Sequence, residues 1–276
     1  MNVEQPKHAP VQKPVKRSTL RRQVGRQFYI LKRKWQWYFS GTTFAQLDPD
    51  TTLPVVIHQH QTPLLRKLKS VDMWMQHNKV ANLKIAQKKL DGLMLKPGET
   101  FSYWRALGKP TKSKGYLPGM QLDQGSFKAA TGGGLCQMSN LIFWMAMHTP
   151  LTIVERWRHS YDVFPDANRT QPFGSGATCA YNYIDLQLRN DTDQAFQLRI
   201  SLSDSHLHGE WRAERPINVN YEIFESDHLF RQEYWGYTRH NRIGRHAKHP
   251  ETGEVLYTEP LIENHAIMMY NPLLEE

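Results

Sequence analysis

Leu141-Ile142-Phe143-Trp144-Met145-Ala146-Met147 is the longest apolar run of the chain, seven residues without a polar side. A helix built on it, spanning Cys136 to His148, has no face to offer to water. The other elements must therefore be laid around it as a cover. The run is far below the ~18–20 residues that a bilayer span requires, so a buried central helix is expected. With 276 residues and 39% hydrophobic side chains, the chain has material for that cover as one large domain or two small ones. Gly132-Gly133-Gly134 stands directly before the helix, and three glycines permit the sharp turn that starts it.

The formal charge is +9, and it is unevenly placed. Residues 1–40 hold ten of the 35 Lys and Arg and one of the 26 acids, Glu4, leaving 25 of each sign elsewhere. A neutral body excludes a fold dedicated to nucleic acid, which carries basic charge along a whole face. Two cysteines, Cys136 and Cys179, exclude a disulfide-dense secreted scaffold. Pro6, Pro10 and Pro14 keep residues 1–16 from forming a helix, so a disordered basic tail is expected there. Beyond it, Leu20, Val24, Phe28, Leu31, Trp35 and Tyr38 recur every three or four positions among Arg21, Arg22, Arg26, Lys32, Arg33 and Lys34. The spacing predicts a basic amphipathic helical arm over 17–47. It either lies on an anionic membrane surface or packs on the body with its charged side in water.

Residues 48–71, with Pro49, Pro54 and Pro63, read as a linker. Asp72 opens a second helix, whose Val80, Leu83, Ala86 and Leu90 form an apolar stripe and which Gly92 ends. Strand patterns follow at 152–157, 181–188, 196–202 and 208–213. Asn190-Asp191-Thr192-Asp193 reads as the turn of a hairpin, and so does Glu251-Thr252-Gly253-Glu254. The fold class expected is α+β: a central helix after a Gly-rich turn, packed on a mainly antiparallel β-sheet, with a basic N-terminal helical arm. The main domain is placed at 72–215, with a C-terminal extension, 216–276, packed on it.

Chemistry concentrates at Gly132-Gly133-Gly134-Leu135-Cys136-Gln137. A cysteine in the first turn of a helix sits at the positive end of the helix field. That favours thiolate, with a pKa of ~3.5–7.5 in such settings. The turn's open amides, with Gln137 beside them, have the makings of an oxyanion hole. His159, at the end of a strand, is the candidate base, and Asp185 on the next strand (or Asp162) is the candidate orienter. Glu155, Arg156 and Ser160 flank the histidine as supporting groups. The order Cys, His, Asp is the one that papain-like and transglutaminase-like folds use for acyl transfer through a thioester. The competing reading makes the glycines a packing device and Cys136 a small buried hydrophobe. Cys179 reads as buried and inert. His58, His60, His206 and His208 lie in His-x-His pairs without a matched acid or thiol, and read as surface or loop histidines. No metal site and no cofactor are expected.

These motifs together resemble the VanW family. The resemblance rests on Gly132 to Gln137, on Glu155-Arg156 and His159-Ser160, and on Asp185 with Arg189-Asn190-Asp191-Thr192. It extends to Lys96-Pro97-Gly98-Glu99-Thr100-Phe101-Ser102 and Gly115-Tyr116, and so covers roughly residues 70–215. It implies a role at the bacterial cell envelope in glycopeptide resistance. Many relatives carry an Asp-Ala pair where this chain has Gly176-Ala177, which leaves Asp185 or Asp162 to orient the histidine here.

Two functional classes follow. In one, Cys136, His159 and Asp185 form a cysteine-dependent acyltransferase or hydrolase acting on an envelope precursor or a peptide amide. In the other, the glycine turn grips an anionic or peptide ligand without catalysis, and the arm holds the protein at an anionic membrane surface. Nucleic-acid contact through the arm is a third, weaker reading. With no apolar stretch behind its basic start, the chain is expected in the cytoplasm, peripheral at the inner face of the membrane if the arm binds lipid.

Overall fold

The computed structural model describes residues 17–66, 72–123, 125–163 and 170–271. The tail expected over 1–16 lies outside them. In chain order the elements are α1 (Thr19–Phe39), β1 (Gln46–Leu47), β2 (Val55–Pro63), α2 (Met73–Leu90), β3 (Leu93–Leu95), β4 (Thr100–Ser102) and the short α3 (Tyr103–Leu107). A 3-10 turn at Lys112–Lys114 leads to β5 (Pro118–Asp123), β6 (Ser126–Thr131), α4 (Cys136–Met147), β7 (Thr152–Glu155), β8 (Tyr161–Asp162) and β9 (Gln187–Arg189). The chain closes with β10 (Phe196–Leu202), β11 (His206–Ala213), β12 (Asn220–Glu233), β13 (Gly236–Lys248) and β14 (Val255–Met268).

Helices and mostly antiparallel strands make an α+β protein. One sheet runs β1-β3-β10-β11-β2, a second β12-β13-β14-β8 and a third β4-β9-β7, with β5-β6 as a hairpin. Among the paired strands of the described residues only β14 and β8 run parallel. The apolar run drives the arrangement: Met138, Leu141, Ile142, Phe143, Met145, Ala146 and Met147 of α4 are all buried. β11 and β2 pack against this helix. The Trp211 indole N–H, fully buried, reaches the Ile142 carbonyl at 3.5 Å. On α2 the buried Leu83, Ala86 and Leu90 turn toward the same core.

The last three strands form a long meander laid on this body. Ile243 joins the main core, and Ile223, Leu261 and Ile262 pack against it. Arg245, buried on β13, donates to the carbonyls of Met147 (3.0 Å) and Thr149 at the end of α4. α1 is held too. Trp37 is buried in the main core, the Arg105 guanidinium donates to the Trp37 carbonyl at 3.1 Å, and the Asn182 amide donates to the Ile30 carbonyl at 3.2 Å.

Several expectations are corrected. The linker reading of 48–71 fails over 55–63, where β2 is a nine-residue strand pairing with β11. Its prolines are compatible with that: Pro54 precedes the strand, and Pro63 ends it at the sheet edge, where a missing donor is tolerated. The turn Asn190–Asp193 does not close a hairpin, because β9 and β10 belong to different sheets. Asn190, fully buried, donates to the carbonyls of Leu95 and Gln194 and so carries the chain from one sheet to the other. The strand expected at 181–188 shrinks to β9, and that at 152–157 to β7. The turn near Glu251–Glu254 does join two paired strands, β13 and β14.

Candidate functional site

The Gly132–Gly134 turn is wedged between neighbours that leave no room for side chains. A Cβ on Gly133 would lie 2.1 Å from the carbonyl carbon and oxygen of Gly119. Gly134 has φ +89°, and a Cβ there would meet Lys79 Cγ at 2.2 Å. Fully buried Asn82 fixes the turn from α2: its amide donates to Gly133 O and Leu117 O, and its Oδ1 accepts from Leu117 N.

Cys136 is the first residue of α4, as expected, but its chemistry differs from the expectation. Sγ donates to the Cys179 carbonyl at 3.6 Å. Burial pushes the thiol up from its ordinary value, and backbone hydrogen bonds at Cys179 and at Cys136 itself offset this in part. Desolvation thus works against the thiolate that the helix field favours. Cys179 behind it is buried and pushed further up, first by burial and then by the neighbouring Cys136 and Asp185.

His159 lies on the segment between β7 and β8. No hydrogen bond joins its ring to Cys136 or Asp185 among the described residues. Burial, then the Arg158 charge, lowers its pKa to about 4, so the imidazole is neutral. Asp185 is occupied elsewhere. Fully buried, it accepts from Ser102 Oγ at 2.6 Å and Gln187 Nε2 at 3.2 Å through one oxygen, and from Trp104 N and Leu186 N, both at 3.0 Å, through the other. It pins the start of α3 to the strand entry at β9. Burial raises its pKa to about 6, although the Ser102, Trp104 and Gln187 hydrogen bonds pull it down. Asp162, the other candidate, accepts from Tyr270 and Arg239.

The supporting residues also prove to be ties between elements. Glu155 pairs with Arg33 of α1 at 2.6 Å and accepts from the Trp157 indole and from Asp185 N. The Arg156 guanidinium donates to the carbonyls of Gly174 and Gly176 and to Asn264 Oδ1, and lies 5.3 Å over the Phe143 ring. Ser160 is exposed, and its carbonyl accepts from Ile267 N. Gln137 uses its side-chain amide on Thr62 Oγ1 and Pro63 O of β2, both at 2.9 Å, and its backbone N–H on Gly134 O. It is therefore unavailable as an oxyanion donor.

What the turn does leave open is narrower. Among the described residues the N–H groups of Gly134 and Leu135 meet no acceptor. Beside them lies Lys79, almost wholly buried, its stem against Gly134 and its ammonium on Gln76 Oε1 at 2.8 Å. Burial, then the nearby Arg66 charge, lowers Lys79 to about 8. Neither cation has a carboxylate partner among the described residues. Two unmatched donors and two neighbouring cations make a locus for an anion. Lys79 was invisible in the sequence because it stands on α2 next to the apolar Val80. Its one signal is the buried polar row Gln76, Lys79, Asn82 at three-residue spacing. Histidines collect elsewhere: His58 of β2 stacks on His148 with centroids 3.9 Å apart, and His60 contacts Gln171. The pairs His206 and His208 bond to Ser205 and Ser203 at an exposed turn.

Comparison with known proteins gives three findings. The profile of the family described as "VanW like protein" matches residues 78–212. The "Vancomycin B-type resistance protein VanW" of Enterococcus faecalis is 37% identical over 237 residues, 86% of this chain and 86% of that protein. The "Uncharacterized protein YoaR" of Bacillus subtilis is 30% identical over 118 residues, 43% of this chain and 37% of that protein. No solved structure matches.

Proposed function

Because this chain belongs to the VanW family, we propose that it acts in glycopeptide resistance at the cell envelope, as a protein that binds an anionic envelope precursor at the Gly132–Gly134 turn. The observation that carries the reading is that two N–H groups, on Gly134 and Leu135, unmatched among the described residues, stand beside buried Lys79, which meets no carboxylate among them. A carboxylate or phosphate entering there would satisfy the donors and restore full charge to an ammonium that burial has weakened. Peptidoglycan precursors carry both kinds of anion.

Cysteine-dependent acyl transfer is the second reading, and one observation favours it: the same two unmatched N–H groups belong to the two residues directly before Cys136, in the turn that starts its helix. His159 would then have to reach the thiol through a rearrangement that substrate induces. Two variants separate the readings in a strain lacking the gene, with melting temperature measured beside resistance. Lys79→Met keeps the stem on Gly134 and removes the charge. Binding predicts a folded protein that fails to complement, while Cys136→Ser complements fully. A folded Cys136→Ser that fails, with Lys79→Met active, establishes the enzyme reading and ends the binding one.

A further inference from the structure

We infer that the outer face of α1 is a docking surface for an anionic lipid bilayer. Leu20, Val24, Phe28, Leu31, Trp35 and Phe39 are each between 59% and 71% exposed. Their spacing of four, four, three, four and four places them in one line along the helix. At about 1.5 Å per residue that line is roughly 30 Å long. Tyr38, 70% exposed, lies on the same face as expected, and its ring is 5.3 Å from the Arg105 guanidinium.

The stripe is exposed because the opposite side of the helix is already committed. Ile30, Arg33 and Trp37, which bond to Asn182, Glu155 and Arg105 of the body, fall together on that side at about 100° per residue. α1 is thus held rigidly, with an unpartnered apolar ridge facing outward. Its charge selects what covers the ridge. The helix contains no acidic residue, and among the described residues Arg33 alone of its cations meets a carboxylate. Arg21, Arg22, Arg26, Lys32 and Lys34 are all exposed. By the helical wheel Arg21 and Lys32 border the ridge on one side and Lys34 on the other.

A second copy of the chain would bring its own Arg21, Lys32 and Lys34 against these three bordering cations, which opposes self-association through this face. Nucleic acid would meet the cations but leave six apolar side chains in water. An anionic bilayer satisfies both: headgroup phosphates meet the bordering cations, and the ridge, with Trp35 and Phe28 on it, enters the acyl boundary. No helix of the described residues is long and apolar enough to cross a membrane, so contact at the surface is the geometry that α1 permits.

The test is sedimentation of the full chain with vesicles of phosphatidylcholine alone or with roughly one third phosphatidylglycerol. The expected result is binding to the anionic vesicles, little to the neutral ones, and weakening as salt is raised. Leu31→Glu with Trp35→Glu, both on the exposed line, should reduce binding at least tenfold without lowering the melting temperature. Arg21→Gln with Lys32→Gln should weaken it by roughly fivefold per charge. No binding to anionic vesicles at low salt overturns the proposal, and so does binding that the apolar substitutions leave unchanged. Lipid-free dimers abolished by Leu31→Glu overturn it in favour of a second copy. Salt-sensitive DNA binding stronger than vesicle binding, and indifferent to Leu31→Glu, overturns it in favour of nucleic acid.

Discussion

Replacing Asp185 with Asn and with Ala, and following thermal unfolding from pH 4 to pH 7, distinguishes a structural tie from a catalytic orienter. The carboxyl pKa lies near 6 in the fold, against 3.8 for the ordinary group. A raised folded pKa means that this residue's contribution is fully present below the unfolded value and is lost as pH rises through the folded one. The loss amounts to about 3 kcal/mol, complete by about pH 7. Neither variant titrates, so each should gain about 3 kcal/mol relative to wild type between pH 4 and pH 7. Geometry sets the gap between the two variants. Asn keeps an oxygen for Trp104 N and Leu186 N, which share Oδ1, and the side chains of Ser102 and Gln187 can reorient around the new amide. Ala leaves both buried N–H groups unmatched, which costs ~1–3 kcal/mol each. For a chain of this size that places Ala roughly 4–20 °C below Asn in melting temperature at every pH. Equal melting temperatures for Asn and Ala would refute this reasoning. So would differences from wild type that do not change with pH.

Iodoacetamide should label Cys136 slowly at pH 7, with a rate that rises only above the ordinary thiol range, while buried Cys179 stays protected until the protein unfolds. Rapid labelling of Cys136 well below pH 8 would show that the helix field prevails over desolvation. Gly133→Ala should prevent folding or cost at least ~3 kcal/mol in unfolding by denaturant, since its Cβ has to displace the Gly119 backbone 2.1 Å away. A soluble variant of wild-type stability would show that the two turns can separate.

Features that follow from local pattern were legible in the sequence. The apolar run from Leu141 to Met147 becomes a buried helix because no other placement hides all its sides, and the glycines before it make the turn. The hairpin near Gly253 follows from its turn residues in the same way. The candidate site was legible only in part. His159 and Asp185 do follow Cys136 in the expected order, in the segments just before β8 and β9, but order along a chain does not say which way a side chain points. Asp185 turns to Ser102 and Trp104, more than 80 positions earlier. For Cys136 the helix field pointed to a thiolate and packing to a small buried hydrophobe, and local sequence does not register how deeply a sulfur is packed. β2 escaped notice because its flanking prolines, harmless at a sheet edge, resemble those of a linker. The two fates weighed for α1 were not exclusive: Ile30, Arg33 and Trp37 pack on the body while the apolar stripe stays outside.

Arg245 carries a consequence for where this protein divides. The family match ends at residue 212, yet the final carbonyls of the central helix are completed by a guanidinium more than thirty positions later. Helix ends left without partners in a core are costly. A polypeptide stopped after 215 would therefore expose the apolar helix at its C-terminal end and be expected to aggregate. Exchange of 216–271 between relatives would succeed only where the incoming meander supplies an equivalent cation at that position. The stretch that the family profile matches and the stretch that folds are therefore not the same.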